Sequence, residues 1–386
     1  MSCTVPTVAE EVLISRVAER ASADRLPLWT TVEVIATCNF RCHHCYIAPC
    51  AERSDVMPLA RAEALLQEMA ARGTLYVLLT GGEVFTHPQF REIYLAAKRL
   101  GLIVVLNTNA YMIGERWADF LAEWPPSNVS ISLYGLSDER YEQVTGIPHA
   151  FGRVVRAIDL LAERGINMEL KCPAMTNTVD ELPAMKAFAQ ARGLTFRYDP
   201  AITPQEKGSA DPVGFQLSPS QVLAVDELVD DGVEAAAELY RTFAAQPATG
   251  RLYSCGAGRF ALHVNVHGEV STCTVSRRSV GNFFRDGFDA VWSALGTKVS
   301  AKFPPGHPCA ACRLRPMCLA CPATVEEMTG ATDGYVQHYC RITHLRAARA
   351  GAHPTGIPRT VVDGIPAGIR TPGQDILRML PVLQQA

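Results

Sequence analysis

Residues 31–46 read TVEVIATCNFRCHHCY, a β-rich run that ends on Cys38, Cys42 and Cys45. Val32 and Val34 alternate with Thr31 and Glu33, so residues 31–37 are predicted to form a strand with one apolar face. Runs of the same kind recur at 75–80, 102–107, 128–133, 167–172 and 194–199. Helical stretches lie between them at 58–72, 88–100, 114–123, 151–164 and 179–192, punctuated by Pro58, Pro88, Gly73, Gly101, Gly165 and Gly193. This repetition predicts an α/β fold with a parallel sheet and right-handed crossovers. Such units form an open doubly wound sheet or an incomplete barrel, and the strand faces discriminate. Thr31, Glu33, Ser130, Ser132, Tyr134, Glu169, Lys171, Arg197 and Asp199 make one face polar along the first, fourth, fifth and sixth strands, whereas the second and third are apolar on both. A partial (β/α)6 barrel with a wet or ligand-filled lumen is expected; edge strands facing solvent are the alternative.

The chain has 386 residues, room for one large domain and one or two small ones. Its composition, 48% hydrophobic and 19% charged, is that of a globular protein, with no apolar run near the roughly 18 residues of a membrane span. Lys and Arg total 36 against 39 Asp and Glu, a formal charge of -3 that argues against nucleic acid as a partner. The expected divisions are an N-terminal extension at 1–30, the barrel at 31–200, a linker and bridging helix at 201–250, a cysteine-rich module at 251–345 and a Pro/Gly-rich tail at 346–386. The bridge is expected to be one long amphipathic helix, opened by Ser218-Pro219-Ser220-Gln221 as a capping box, with Val222, Val225, Leu228, Val229, Val233, Leu239, Tyr240 and Phe243 at helical spacing. Glu10, Glu11, Arg16, Glu19 and Arg20 interrupt every apolar stretch near the N-terminus, so no secretory signal is expected and a cytoplasmic location follows. In that compartment the clustered members of the 13 cysteines read first as metal sites.

Thiolates at CxxxCxxC spacing can hold three corners of a cubane iron–sulfur cluster and leave the fourth iron without a protein ligand. A zinc site completed by His43 or His44, a redox pair at Cys42 and Cys45, and structural thiols are the competing readings. The context is decisive. CxxxCxxC directly after the first strand, followed by Thr80-Gly81-Gly82-Glu83 after the second, resembles the radical S-adenosylmethionine (radical SAM) superfamily over residues 31 to about 200. The resemblance implies a [4Fe-4S] cluster on Cys38, Cys42 and Cys45 whose open iron chelates the amino and carboxylate groups of SAM. Gly81 and Gly82 would let backbone approach that ligand, and Glu83 or its carbonyl neighbours would receive the ammonium. It further implies Asn107 and Asn109 with Ser132 at the ribose and carboxylate, Lys171 neutralising the carboxylate, and His44 or Tyr46 on the adenine. Val84 and Ala110 depart from the family, which often has proline and glycine there; ordinary turn chemistry is the other reading of Asn107 and Asn109.

The second cysteine group runs Cys255, Cys273, Cys309, Cys312, Cys318, Cys321 and Cys340. These are too many for one tetrahedral zinc and suit two metal centres, with two zinc ribbons as the alternative. The spacing resembles the SPASM domain, the auxiliary-cluster module of radical SAM maturases, so the resemblance implies a partial barrel followed by a small SPASM domain. It assigns Cys309, Cys312, Cys318 and Cys340 to an outer cluster and Cys255, Cys273 and Cys321 to an inner one. Cys318 and Cys321 could be exchanged, because two residues separate them where the family usually has three. The inner cluster, one thiol short, is expected to have an open iron, a water, or His263, His267 or Glu269 as a substitute. Cys3 and Cys50 read as buried small hydrophobes. Cys172 ends the fifth strand near the expected cavity and is a candidate hydrogen-atom or proton donor.

What the resemblance implies mechanistically is reduction of the first cluster by an external one-electron donor of flavodoxin or ferredoxin type, cleavage of SAM to a 5′-deoxyadenosyl radical, and abstraction of a substrate hydrogen atom. The auxiliary clusters would then accept an electron or bind substrate. Glu33, Tyr134, Glu169, Arg197 and Asp199 are the lumen candidates for proton transfer or anchoring. The expected substrate is a ribosomal peptide or protein to be cross-linked, oxidised or epimerised, delivered by a separate recognition protein, since only about 30 residues precede the first strand. A small-molecule dehydrogenase or epimerase and a non-catalytic electron carrier are the alternatives.

Overall fold

The six alternating runs form β1 (Trp29–Ile35), β2 (Tyr76–Gly81), β3 (Ile103–Thr108), β4 (Asn128–Ser132), β5 (Met168–Pro173) and β6 (Thr195–Asp199), side by side in chain order and all parallel. In this computed structural model the described residues are 10–47, 53–206, 209–229 and 233–352, without the side chains of 10–15 and 233; Cys3, Cys50 and the tail beyond 352 lie outside them. Helix α1 (Glu10–Asp24) precedes the sheet, and α2 (Leu59–Ala71), α3 (Phe90–Arg99), α4 (Glu115–Glu123), α5 (Asp138–Thr145), α6 (Phe151–Glu163) and α7 (Leu182–Gln190) cross over between strands. Val77, Leu79, Val104, Leu106, Val129, Ile131 and Leu170 are fully buried against Leu65, Ile93, Tyr94, Ile158 and Leu161 of these helices, which is the core of a parallel sheet covered on its outer face. This is the partial barrel expected. Helix α5 was not: its signal is Ser137, whose hydroxyl accepts from Arg140 N at 3.2 Å, and the left-handed Gly146 (φ 68°) that stops it.

The inner face carries one continuous polar row. Register pairs Glu33 with Thr80, Asn107 with Ser130, Ser130 with Glu169 and Glu169 with Thr195. Leu79 pairs with Leu106, so Thr80 and Asn107 are neighbours in the same row. One layer up, Ser132, Lys171 and Arg197 are in register. The lumen is therefore polar across all six strands, including β2 and β3, which read as apolar because only one residue of each enters the row.

Beyond β6 the expected capping box is present: Gln221 N donates to Ser218 Oγ at 3.3 Å and Ser218 N to Gln221 Oε1 at 2.8 Å. The bridge is helical on both sides of residues 230–232, which lie outside the described residues: α8 (Pro219–Val229) precedes them and α9 (Val233–Ala245) follows. The cysteine-rich segment then returns to the barrel. Strand β7 (Ala261–Val264) pairs parallel with β1, β8 (Glu269–Ser271) pairs antiparallel with β7, and β9 (Gly281–Asn282) with β8, so one nine-stranded sheet runs through both parts. Helices α10 (Phe283–Asp286), α11 (Phe288–Val299), α12 (Pro322–Thr329) and α13 (Gln337–Arg349) complete it. Arg25, just after α1, donates to Trp292 O at 2.7 Å and its own carbonyl accepts from Trp292 Nε1 at 2.9 Å, clasping α11. No described helix is long and apolar enough to cross a membrane.

Candidate functional site

Strand β1 delivers Cys38 to the carboxyl edge of the sheet, where barrel ligands bind. The loop that follows is pinned from below by the end of α5: Arg41 N donates to Thr145 O at 2.8 Å and His43 N to Val144 O at 3.2 Å. Phe40, 2% exposed, is wedged between Tyr111 and Tyr134 at 5.5 and 6.4 Å. Phe40 N donates to Cys38 Sγ at 3.4 Å and Asn109 Nδ2 reaches the same sulfur at 3.8 Å. Burial first, then the neighbouring charges of Glu83 and Cys45, push the Cys38 thiol up to about 12, and Cys42 is raised by burial and by both other cysteines. Thiols gathered in that way surrender their protons only to a cation that neutralises them together, which fits an iron–sulfur cluster. Among the described residues no three His, Cys, Asp or Glu side chains lie close enough to hold a single metal ion. The loop also buries Asn39 Nδ2 and His44 Nδ1 without hydrogen-bond partners, as a site that takes a further polar group would.

The Gly-Gly-Glu segment is primarily a brace. Gly82 N donates to Ile35 O and Glu83 N to Thr37 O, both at 2.9 Å. Glu83 is 1% exposed, and its carboxylate accepts from Thr108 Oγ1 and Asn109 N at 2.7 Å and from Phe85 N at 3.2 Å, which ties the ends of β2 and β3 together. Burial still pushes its pKa up to about 6 against those donors. Three of the carboxylate's acceptor positions are therefore filled from inside the protein. Asn109 is likewise engaged, donating to Asn39 Oδ1 at 2.8 Å and accepting from Tyr111 N at 3.0 Å. Ala110 sits at φ 60°, the left-handed conformation that explains why glycine is common there.

Several lumen candidates are relocated. Cys172 is corrected: Met168, Leu170 and Cys172 form the buried face of β5, so with Lys171 on the lumen face the thiol points into the helix layer, donating to Pro173 O at 3.3 Å. Tyr134 stands between the lumen and the first cysteines, its hydroxyl bonding Ser132 and Cys42 and its ring packing on His44 at 5.4 Å. His44 is held neutral, burial pushing its pKa down to about 4. Tyr46 has the Arg277 guanidinium over its ring at 4.9 Å. Glu33 faces the lumen but is committed: its Oε1 meets Arg277 Nη1 at 2.9 Å and His263 Nε2 at 3.2 Å. Glu169, Lys171, Arg197 and Asp199 stay together. Glu169 accepts from Ser130 Oγ at 2.9 Å and Arg197 Nη1 at 3.4 Å, and Lys171 is lowered to about 8 by burial, with Arg197 adding to the effect and Glu169 and Asp199 opposing it. Asn107 and Ser132 line the same face.

Burial alone would raise Glu33, but His263 and Arg277 outweigh it and hold the carboxyl at about 2 against an ordinary 4.5. A depressed carboxyl stabilises the fold above the unfolded value and loses that contribution as pH falls through the folded one. The difference corresponds to about 3 kcal/mol. Glu33→Gln is therefore expected to be less stable than the parent at neutral pH, with the gap closing between pH 4.5 and about 2. Urea unfolding of the metal-free chain across that range checks it; a constant gap would reject the ionic account.

The second cysteine group divides in two. Cys309 is raised by burial and by the charges of Cys318, Cys340 and Cys312, and Cys340 likewise by Cys318 and Cys312. Cys273 responds to Cys321 and Cys255. Cys318 thus keeps company with Cys309, Cys312 and Cys340, and Cys321 with Cys255 and Cys273. The proposed substitutes for a missing inner ligand are corrected. His263 bonds Ser271 Oγ at 2.8 Å through Nδ1 and faces Glu33 through Nε2. His267 and Glu269 stand at the turn of the β7–β8 hairpin, roughly 13 Å along the strand from Cys273 at its open end.

Beyond β6 a cavity of about 1270 Å³ opens along the uncovered edge of the barrel. Its walls include Glu169, Arg197, Asp199, Tyr240, Cys318 and Arg349, so the lumen's charged end and Cys318 border one space.

A radical SAM superfamily model matches residues 32–189, and a model described as an iron–sulfur cluster-binding domain, SPASM, matches 255–313. The mycofactocin maturase MftC of Mycobacterium ulcerans is 29% identical over 280 residues, covering 69% of this chain and 74% of its own. The subtilosin biosynthesis protein AlbA of Bacillus subtilis is 24% identical over 282 residues, 70% of this chain and 60% of its own. Among solved structures, Streptococcus suis SuiB superimposes with a TM-score of 0.63 at 15% identity, over 86% of this chain and 83% of its own.

Proposed function

We propose that this chain, which belongs to the radical SAM superfamily and carries a C-terminal SPASM domain, is a maturase that modifies a ribosomally made peptide or protein by radical chemistry. The observation that carries the reading is the sorting of its cysteines into one trio at the barrel mouth and two further groups behind it. Cys38, Cys42 and Cys45 would hold the [4Fe-4S] cluster that binds SAM; Cys309, Cys312, Cys318 and Cys340 would hold the outer auxiliary cluster, and Cys255, Cys273 and Cys321 the inner. When bound, the first cluster and SAM supply one-electron cleavage of a sulfur–carbon bond and so a 5′-deoxyadenosyl radical.

This chain's residues position and insulate that chemistry. The Glu83 brace fixes the cysteine loop against β3, and Lys171, near 8, keeps its proton at neutral pH to neutralise a carboxylate in the lumen. Glu169 and Arg197 anchor a substrate's polar groups, and the packed outer layer excludes water. The cavity beside β6 exceeds the roughly 300–1,000 Å³ of ordinary small-molecule sites, as an extended peptide requires. The relatives' names favour the same substrate class: MftC is a maturase, AlbA serves bacteriocin biosynthesis, and SuiB has been solved with its precursor peptide SuiA. A flavodoxin- or ferredoxin-type donor would supply the electron, and a separate recognition protein would deliver the peptide.

Reduced, iron-loaded protein is expected to release 5′-deoxyadenosine from SAM, and Cys38→Ala to abolish the release. Deuterium carried from a labelled precursor peptide into 5′-deoxyadenosine identifies the substrate. Zinc without iron and sulfide in anaerobically purified protein would remove the reading, and transfer from a sugar in place of a peptide would redirect it.

A further inference from the structure

On the reading that Cys309, Cys312, Cys318 and Cys340 hold the outer auxiliary cluster, the loop that supplies them carries a buried cation with no anion. Arg315 is the middle residue between Cys312 and Cys318 and is 7% exposed. Its backbone is tied to both cysteines: Arg315 N donates to Cys312 O at 3.4 Å, and Cys318 N donates to Arg315 O at 3.2 Å. The guanidinium lies over the Phe303 ring at 5.4 Å, in the small apolar cluster against which Cys309 packs. Nη1 donates to Ala320 O at 2.8 Å and Nη2 to Leu252 O at 2.9 Å, while Nε is buried and has no partner.

A guanidinium stays charged throughout the pH range of a folded protein, and a buried charge is tolerated where an opposite one answers it. Elsewhere in this chain that condition is met within the protein, Arg277 by Glu33 and Arg346 by Asp226. Among the described residues Arg315 has no carboxylate partner, and its bonds go to neutral carbonyls. The anion on offer is the cysteine set around it. Burial raises the thiols of Cys309 and Cys312, and the charge of Arg315 opposes that rise at both.

We propose that Arg315 is the counter-charge of the outer auxiliary cluster, offsetting the negative charge of the thiolate-ligated iron and favouring its reduced state. Reduction adds one electron, from the one-electron donor or from a substrate radical in turnover, with no bond made or broken. The reduced centre is one unit more negative, so a cation fixed beside it raises the reduction potential and fits the outer centre to accept an electron.

The test uses the anaerobically reconstituted full chain with Cys38, Cys42 and Cys45 replaced by alanine, so that only auxiliary clusters remain. Redox titration followed by EPR gives each cluster's potential, and the signal lost on Cys309→Ala is the outer one. In Arg315→Gln the reduced-to-oxidised ratio of that signal at a given poise is expected to fall at least about tenfold, about 59 mV for one electron. Arg315→Lys, which keeps the charge without the fork, is expected to stay close to the parent. An unchanged potential in Arg315→Gln, or an equal drop in Arg315→Lys, overturns the proposal. If Arg315→Gln does not retain the outer iron, retention by Arg315→Lys upholds the role of the charge and loss from both overturns it. An outer site without iron in the parent overturns it too. Release of 5′-deoxyadenosine by the chain with its first three cysteines intact, read in parallel, separates that result from failure of the radical SAM reading.

Discussion

Arg346→Ala is expected to destabilise the chain by about 3–5 kcal/mol and to loosen the helix that carries Cys340. Asp226 of α8 is 5% exposed, and both its oxygens are met by Arg346 of α13, at 2.8 Å from Nε and 2.7 Å from Nη2. Tyr198 of β6 donates to the same carboxylate and Tyr240 of α9 bonds Arg346, so one ion pair joins the last barrel strand, both bridging helices and the final helix. Removing the guanidinium leaves a buried carboxylate with one phenol for company. The pair need not be stabilising as a whole, because desolvation offsets much of its attraction; the loss comes from orphaning one partner. Asp226→Leu combined with Arg346→Met is therefore expected to lie near the parent, and Arg346→Ala alone far below it. Thermal unfolding of the three proteins, with iron content measured beside it, checks both statements, since a displaced Cys340 should release iron from the outer set. A single-variant loss under about 1 kcal/mol would mean that water already reaches Asp226.

Strand and helix order was legible because each strand carries its own period and each crossover its own glycine or proline. The lumen was legible too, but only where two or more polar residues alternate in one strand. Thr80 and Asn107 complete the row in β2 and β3, and a single polar residue in an apolar strand carries no such signal until register is known. Cys172 shows the opposite case: period two already sets Lys171 and Cys172 on opposite faces, so the thiol's exclusion from the cavity was written in the alternation. The pairing of β7 with β1 was hidden, since nothing local in Ala261–Val264 names a partner more than two hundred residues away. Cysteine spacing marked two groups but left Cys318 and Cys321 exchangeable between sets; in three dimensions the charges of Cys318 act on Cys309 and Cys340, and those of Cys321 on Cys273.

Gly82→Ala is expected to abolish SAM cleavage while leaving the cysteine-rich part folded. The reason is steric and local. A Cβ at position 82 would stand 2.1 Å from Thr37 O, 2.5 Å from Thr37 C and 2.6 Å from Ala36 O, all backbone atoms with no flexible side chain to swing aside. The end of β2 must retreat from β1, and the bonds from Gly82 N to Ile35 O and from Glu83 N to Thr37 O stretch with it. Thr37 is the residue before Cys38, so the first cysteine moves, and Glu83 is drawn away from Asn109 and Thr108. Overpacking of this kind costs about 1–3 kcal/mol, which a chain of this size can survive. The geometry cannot survive it as well: a displacement of about 1 Å at reacting groups is worth roughly a hundredfold in rate. Release of 5′-deoxyadenosine is thus expected to fall at least about a hundredfold, with Gly152→Ala in α6, where a Cβ meets nothing within 4 Å, as the silent control. A Gly82→Ala protein that cleaves SAM at the parent rate would show that the cysteine loop is not held by its contact with β2, and the brace assigned to Gly81, Gly82 and Glu83 would have to be abandoned.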